Sequence, residues 1–167
     1  MSTEVDLLLG LQRTIAHRPG VLPAARALSH VGEHALGWLA LSAVGMAADR
    51  ERRRQWAALG VSAFTSHAAS VVIKRIVRRT RPHDPRIRVG VGTPSRLSFP
   101  SSHATSTSAA MTSLTEITGS TVPLAWIPVM MISRMVLGVH YPTDTIVGAA
   151  LGIATSRAVH TIERKTA

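Results

Sequence analysis

The chain has 167 residues, enough for one domain, and no cysteine, which excludes disulfides, zinc–thiolate sites and thiol catalysis. Its net charge is +10, carried almost wholly by arginines that flank apolar segments; no recognition helix or aromatic stacking pattern goes with them, so the charge points to a membrane surface and away from nucleic acid. Hydrophobic residues make up 46% and aromatics only 4%, with Ala, Val, Leu and Ile in runs, a composition that suits lipid-facing helices better than a soluble core.

In chain order, the start Met1-Ser-Thr-Glu-Val-Asp6 lacks the basic opening and long apolar run of a cleavable leader, so insertion is expected to rest on internal helices. Residues 5–17 place Val5, Leu8, Leu9, Leu11 and Ile15 mostly on one side, ahead of Pro19-Gly20, and a short helix is expected over 22–29. Segment 1–30 therefore reads as an amphipathic stretch lying against the membrane or the bundle. Spans are expected over 32–48, stopped by Asp49-Arg-Glu-Arg-Arg-Arg54, and over 55–73. Both are near the lower end of the roughly 17–25 residues a bilayer requires.

Residues 74–100 are basic and hold Pro82, Pro85, Pro94 and Pro100, which predicts an irregular loop. Helices are expected at 101–118, at 121–139 and at 142–159, the last opened by Pro142, with a polar tail over 160–167. The expected fold class is all-α: one integral membrane helical bundle over 32–159, with about five spanning helices, plus the amphipathic N-terminal helix. Glu116, Arg134 and Asp144 lie in or beside apolar stretches, and charged groups at membrane depth mark function. A soluble bundle is the alternative.

Three clusters carry chemistry: Lys74 to Arg81-Pro82, Pro100-Ser101-Ser102-His103, and Ser133-Arg134 to His140 and Asp144. Lys74 and Arg81 are seven apart, so a continuing helix sets them on one face. With Arg134 they make three cations able to bind a phosphoryl group and stabilise its transition-state charge. Ser101 sits at a helix start, where a hydroxyl caps the helix or binds phosphate beside free N–H groups. His140 and Asp144 stand at i, i+4, a spacing that lets the carboxylate hold one imidazole nitrogen as N–H and leave the other free to attack phosphorus.

Each residue also has a plainer reading. The cationic run Lys74–Arg81 anchors a helix to anionic lipid, and Arg75, Arg78 and Arg79 are assigned that way. Ser101 alone is an N-cap, Asp144 alone a first-turn carboxylate, and His103 alone a core histidine. Glu33, His34 and His67 contact substrate or, as the favoured reading, bond between helices.

The patterns K-x6-R-P, P-S-x-H and S-R-x5-H-x3-D, in this order over residues 74–144, resemble the type 2 phosphatidic acid phosphatase family of membrane lipid phosphatases. The one departure is Ser102, where the family has glycine. The resemblance implies His140 as a nucleophile forming a phosphohistidine, Asp144 as its orienting partner and His103 as general acid. It implies phosphate binding by Lys74, Arg81, Ser101, Ser102 and Arg134, with no metal and no cofactor. The implied partners are the bilayer and a membrane lipid substrate of polyprenyl phosphate type, with no nucleic acid.

At whole-chain level the resemblance favours a decaprenyl-linked phosphoribose as substrate, ahead of undecaprenyl diphosphate or phosphatidic acid. A membrane scaffold or transport subunit with a degenerate site and a soluble haloperoxidase are the readings from other classes. Alternating helices set the N-terminal segment, the 74–100 loop and His140 on one side. That side holds twelve of the lysines and arginines against seven opposite, and nine against seven without the three site cations, which favours a cytoplasmic site in the inner (plasma) membrane. The sequence sets no oligomeric state.

Overall fold

A computed structural model describes residues 3–166. Among the described residues seven α-helices run in order: α1 Thr3–Leu11, α2 Val21–Val31, α3 Leu36–Ala48, α4 Arg53–Val77, α5 Ser102–Thr118, α6 Trp126–Val136 and α7 Pro142–Lys165. A π-helical turn extends α1 to Ala16, and single 3₁₀ turns cover Glu33–Ala35 and Val122–Ala125. Among the described residues the only β pairing is an isolated bridge between Thr80 and Leu97.

The centre is α5, packed against α7 and α4, and its inner positions are small and polar: Thr105, Ser106, Thr107, Ser108 and Ser113 are all buried. Ser113 Oγ lies 2.9 Å from Ser156 Oγ of α7. Close approach demands glycine. A Cβ on Gly152 of α7 would lie 2.1 Å from the Thr105 carbonyl oxygen, and one on Gly148 would lie 2.7 Å from that of Ser101. The large apolar side chains Phe64, Val72, Ile76 and Ile146 face outward instead. Small residues inside and bulky aliphatics outside are how helices pack where the surroundings are lipid. The 25 residues of α4 are long and apolar enough to cross a bilayer.

Several boundaries differ from the sequence expectation. The second expected span, 55–73, extends to Val77, so Lys74 belongs to α4. The helix then stops at Arg78, whose φ of 55° is left-handed, so Lys74 and Arg81 do not share a helical face. The helix expected over 121–139 is shorter, because Pro123 sits in a 3₁₀ turn and Gly138 takes φ 69° against the Arg88 carbonyl. In the last helix the structure carries on past residue 159 to Lys165. The first helix expected over 32–48 begins at Leu36, after His34 and Ala35 both turn left-handed. The amphipathic α1 buries Leu8 and Leu9 with Ile87 and Tyr141, which docks it on the bundle end that carries the site.

Candidate active site

Four segments end at this face of the bundle: the C-terminus of α4, the N-terminus of α5, the C-terminus of α6 and the N-terminus of α7. Together they deliver the three motifs, the last of them shared between α6 and α7. Lys74 lies in the last turn of α4 with its Nζ donating to the carbonyls of Ser98, at 3.0 Å, and Pro100. Those contacts tie the 78–101 loop to the helix end.

Arg81 reaches the site through that loop. Its Nε donates to the Ser95 carbonyl at 2.8 Å and its Nη1 to the Val139 carbonyl at 2.7 Å. The same Nη1 stands 3.1 Å from His140 Nε2. Burial pulls the Arg81 guanidinium down to about 10, still charged at neutral pH.

His140 is 1% exposed and lies in the short α6–α7 connection. Arginine only donates, so its contact requires Nε2 to be an acceptor and puts the ring proton on Nδ1. That Nδ1 faces Asp144 Oδ2 at 3.6 Å, beyond hydrogen-bond reach, and has no hydrogen-bond partner among the described residues. The unprotonated nitrogen therefore points at a cation and the protonated one at a carboxylate. Burial, then Arg81, Arg134 and Lys74, hold the imidazole well below its ordinary value, in the neutral form.

Asp144, in the first turn of α7, is fully buried. Its Oδ2 accepts the Tyr141 N–H at 2.8 Å and its Oδ1 accepts Arg79 Nη1 at 2.9 Å. Arg79 also lies over the Tyr141 ring, at 4.1 Å, and its other terminal nitrogen donates to Glu4 of α1 at 2.5 Å. Glu4 in turn accepts from the Thr143 N–H, at 3.1 Å, and hydroxyl, at 2.6 Å. The sequence reading left Arg79 as a membrane flank and passed over Glu4; nothing in local spacing links positions 75 apart.

Arg134, 2% exposed, donates from Nη1 to Ser29 Oγ at 2.6 Å, and its Nε has no partner among the described residues. His103, in the first turn of α5, sets Nε2 2.9 Å from the Ser29 carbonyl, which assigns the proton to Nε2. Ser29 of α2, another residue the sequence did not single out, thus positions both a cation and an imidazole.

A cavity of about 490 Å³ opens among these groups. Lys74, Arg81, Ser102, His103, Arg134 and His140 line it. Ser101 and Asp144 do not. Ser101 is fully buried beneath the wall, its Oγ capping α5 through the Ala104 N–H at 3.4 Å and its own N–H donating to the Asp144 carbonyl at 2.8 Å. Ser102 is the first residue of α5 and accepts a 2.8 Å bond from Ser70 Oγ. It has no positive φ, so serine fits where the family has glycine. First-turn amides lack carbonyl partners and complement an anion at this helix end.

The cavity thus brings the cations Lys74, Arg81 and Arg134 together with the neutral imidazole of His140. The sequence profile of the PAP2 superfamily matches residues 55–166. The chain belongs to that superfamily. Two relatives are each named decaprenylphosphoryl-5-phosphoribose phosphatase. That of Mycolicibacterium smegmatis is 58% identical over 145 residues, covering 87% of this chain and 81% of the relative. That of Mycobacterium tuberculosis is 49% identical over 159 residues, covering 95% and 90%. The fold is that of Aquifex aeolicus LpxE, with a TM-score of 0.77 at 17% identity over 96% of both chains. It is also that of a transmembrane PAP2-type phosphatidylglycerolphosphate phosphatase of Bacillus subtilis, at 0.75 and 21% identity over 98% of this chain and 88% of that one. PAP2 membership makes this an all-helical membrane lipid phosphatase, as the three motifs implied.

Proposed function

We propose that this PAP2 enzyme removes the terminal phosphate from decaprenylphosphoryl-5-phosphoribose, with His140 as nucleophile. The observation that carries the mechanism is the pairing of His140: Nε2 accepts from Arg81 at 3.1 Å while Nδ1 faces Asp144 at 3.6 Å. The two relatives' names support the substrate.

Lys74, Arg81 and Arg134 hold the phosphoryl oxygens, helped by Ser102 and the α5 amides. Ser101 acts from behind as the cap that sets that helix end. As the phosphate enters, Arg81 exchanges its contact with the imidazole for one with a phosphoryl oxygen, which frees the Nε2 lone pair. Nε2 attacks phosphorus, the bond from phosphorus to the sugar oxygen breaks, and that oxygen takes the Nδ1 proton of His103, which enters the step as the imidazolium and keeps its Nε2–H on the Ser29 carbonyl. Water then attacks phosphorus, its proton passes to His103, the P–N bond breaks and phosphate leaves with His140 restored. Asp144 stabilises the Nδ1–H through both steps. The cations supply the charge stabilisation that this reading otherwise assigns to no metal.

Phosphate release from a panel of decaprenylphosphoryl-5-phosphoribose, undecaprenyl diphosphate and phosphatidic acid, in EDTA, tests this. We expect the phosphoribose lipid to be turned over fastest and His140→Ala to abolish release. Activity that survives His140→Ala, or needs added metal, defeats the mechanism; a faster phosphatidic acid reaction defeats the substrate.

The same reading treats the chain as a single domain with α3 to α7 as spans of the inner membrane and the site on the cytoplasmic side, where twelve Lys and Arg stand against seven opposite. The chain has no cysteine, so a single Arg18→Cys or Thr166→Cys reports sidedness directly. Labelling of Thr166→Cys but not Arg18→Cys by an impermeant maleimide on whole cells is the expected result.

A further inference from the structure

We propose that the membrane-side half of the cavity, formed by Glu33, His34 and His67, is a polyol subsite that binds vicinal hydroxyls of a sugar joined to the phosphate; this rests on the phosphatase reading above. The starting observation is a charge out of place. Glu33 is the one carboxylate among the described residues lining a cavity otherwise rich in cations. A carboxylate repels a phosphate dianion, so its use at this wall is toward neutral hydrogen-bond donors.

The polar groups beside it are unspent. His67 Nδ1 is buried with no hydrogen-bond partner among the described residues. The rings of His34 and His67 sit 6.0 Å apart, too far to bond each other, and Glu33 meets His34 only at 3.9 Å. The favoured sequence reading, bonds between helices, is thus not what these side chains make here. A buried polar atom left unpaired costs free energy, and a ligand that supplies the partner recovers it. A neutral imidazole carries one donor and one acceptor, and so does each hydroxyl of a diol, while a carboxylate accepts from two adjacent hydroxyls.

Position fits the same ligand. His67 stands seven residues before Lys74 on α4, on the same face and about 10 Å away along the axis. That is the reach of a phosphate with a five-carbon sugar behind it. One turn further toward the helix start, Phe64 is 61% exposed on the outside. From the site outward α4 thus offers a cation, an imidazole and a lipid-facing aromatic, the order of phosphate, sugar and prenyl chain.

The turn that carries Glu33 and His34 is also fixed against the chemistry. His34 and Ala35 hold φ of 50° and 61°, which non-glycine residues adopt only where packing imposes it. A Cβ on Gly32 would sit 2.7 Å from His103 Cδ2, so the turn abuts the imidazole assigned as acid.

The test uses the full chain in detergent micelles and whichever lipid phosphate of the panel it hydrolyses. Inhibition constants are measured for ribose 5-phosphate and for n-butyl phosphate, a monoester without hydroxyls. We expect ribose 5-phosphate to bind about tenfold more tightly or better, the equivalent of one to two net hydrogen bonds. Glu33→Gln and His67→Phe are expected to erase that preference while leaving n-butyl phosphate inhibition unchanged. Equal inhibition by both esters in the wild type overturns the subsite. So does a preference that survives both substitutions, or a parallel loss of both ligands in both variants, which marks a purely structural role. Absence of any lipid phosphate hydrolysis removes the phosphatase reading itself and the subsite with it.

Discussion

Arg79 donates from Nη1 to Oδ1 of Asp144 at 2.9 Å, on the side of the carboxylate away from His140. With Tyr141 N–H on the other oxygen, the carboxylate has little freedom to turn. Arg79 does not line the cavity, so it touches no substrate and acts through Asp144. A buried charge-assisted bond contributes about 1.5–3 kcal/mol, and one tenfold change in rate is about 1.4 kcal/mol. Arg79→Met is therefore expected to lower kcat by roughly tenfold to a hundredfold with KM little changed. Glu4→Gln should cost less, since it leaves the bond between Arg79 and Asp144 in place. Steady-state kinetics on both variants separate the two parameters; a rise in KM alone contradicts the positioning role.

The pH profile follows from the state of His140. In the proposed mechanism His140 works as the free base, and burial followed by Arg81 and its fellow cations lowers the imidazole well below the ordinary 6.5. A lowered value keeps the base form populated as pH falls. The acid limb of kcat/KM, which reports the free enzyme, is therefore expected below pH 6.5. Arg81→Met removes the nearest cation, so its residual activity should show that limb displaced toward higher pH. A wild-type limb at or above the ordinary histidine value contradicts the buried, neutral ring.

How much of this was legible depends on sequence distance. His140 and Asp144 are four apart across a proline-opened helix start, a relationship local geometry dictates, and they face each other at 3.6 Å without a hydrogen bond. Lys74 and Arg81 do converge, yet by another route. The expected span ends at residue 73, one turn short of Val77. The left-handed turn at Arg78, which no glycine or asparagine marks, ends the helix before Arg81, so the two meet through the loop and not along one helical face. The resemblance implies Ser101 as a phosphate ligand, but its side chain is fully buried, caps α5 and does not line the cavity. Arg79 was invisible within a run of arginines, because its partners Glu4 and Asp144 come from opposite ends of the chain. Ser29 was hidden for the same reason, bonding to Arg134 across 105 positions.

Gly152 tests the packing that brings α5 and α7 together. Its missing side chain lets the helices touch where a Cβ would lie 2.1 Å from the Thr105 carbonyl, a backbone atom that cannot swing aside. Gly152→Ala is expected to lower stability by about 1–3 kcal/mol, the usual cost of overpacking, read as a lower Tm in detergent. Activity should fall with it, because the N-termini of these two helices carry His103 and Asp144. Gly92 provides the contrast, having nothing within 4 Å of a built Cβ. A Gly152→Ala protein as stable as Gly92→Ala would mean that the helices do not approach this closely.

The last prediction separates a motif cation from its neighbours in the same arginine-rich run. Arg81 uses two nitrogens on three acceptors: the Ser95 and Val139 carbonyls and His140 Nε2. A lysine ammonium is a point donor on a flexible stem and cannot hold the Ser95 and Val139 carbonyls in that fixed fork while facing the imidazole. Arg81→Lys keeps the charge and loses the geometry, so kcat/KM is expected to fall by about a hundredfold, as when one donor to a developing anion is removed. Arg75 also lines the cavity but is exposed, with no hydrogen bond or ion pair from its side chain among the described residues. Its contribution is that of a solvated charge at the rim, and Arg75→Gln should change kcat/KM by less than about threefold. Equal losses at the two positions would mean that net positive charge alone holds the phosphate, and that the fork contributes nothing.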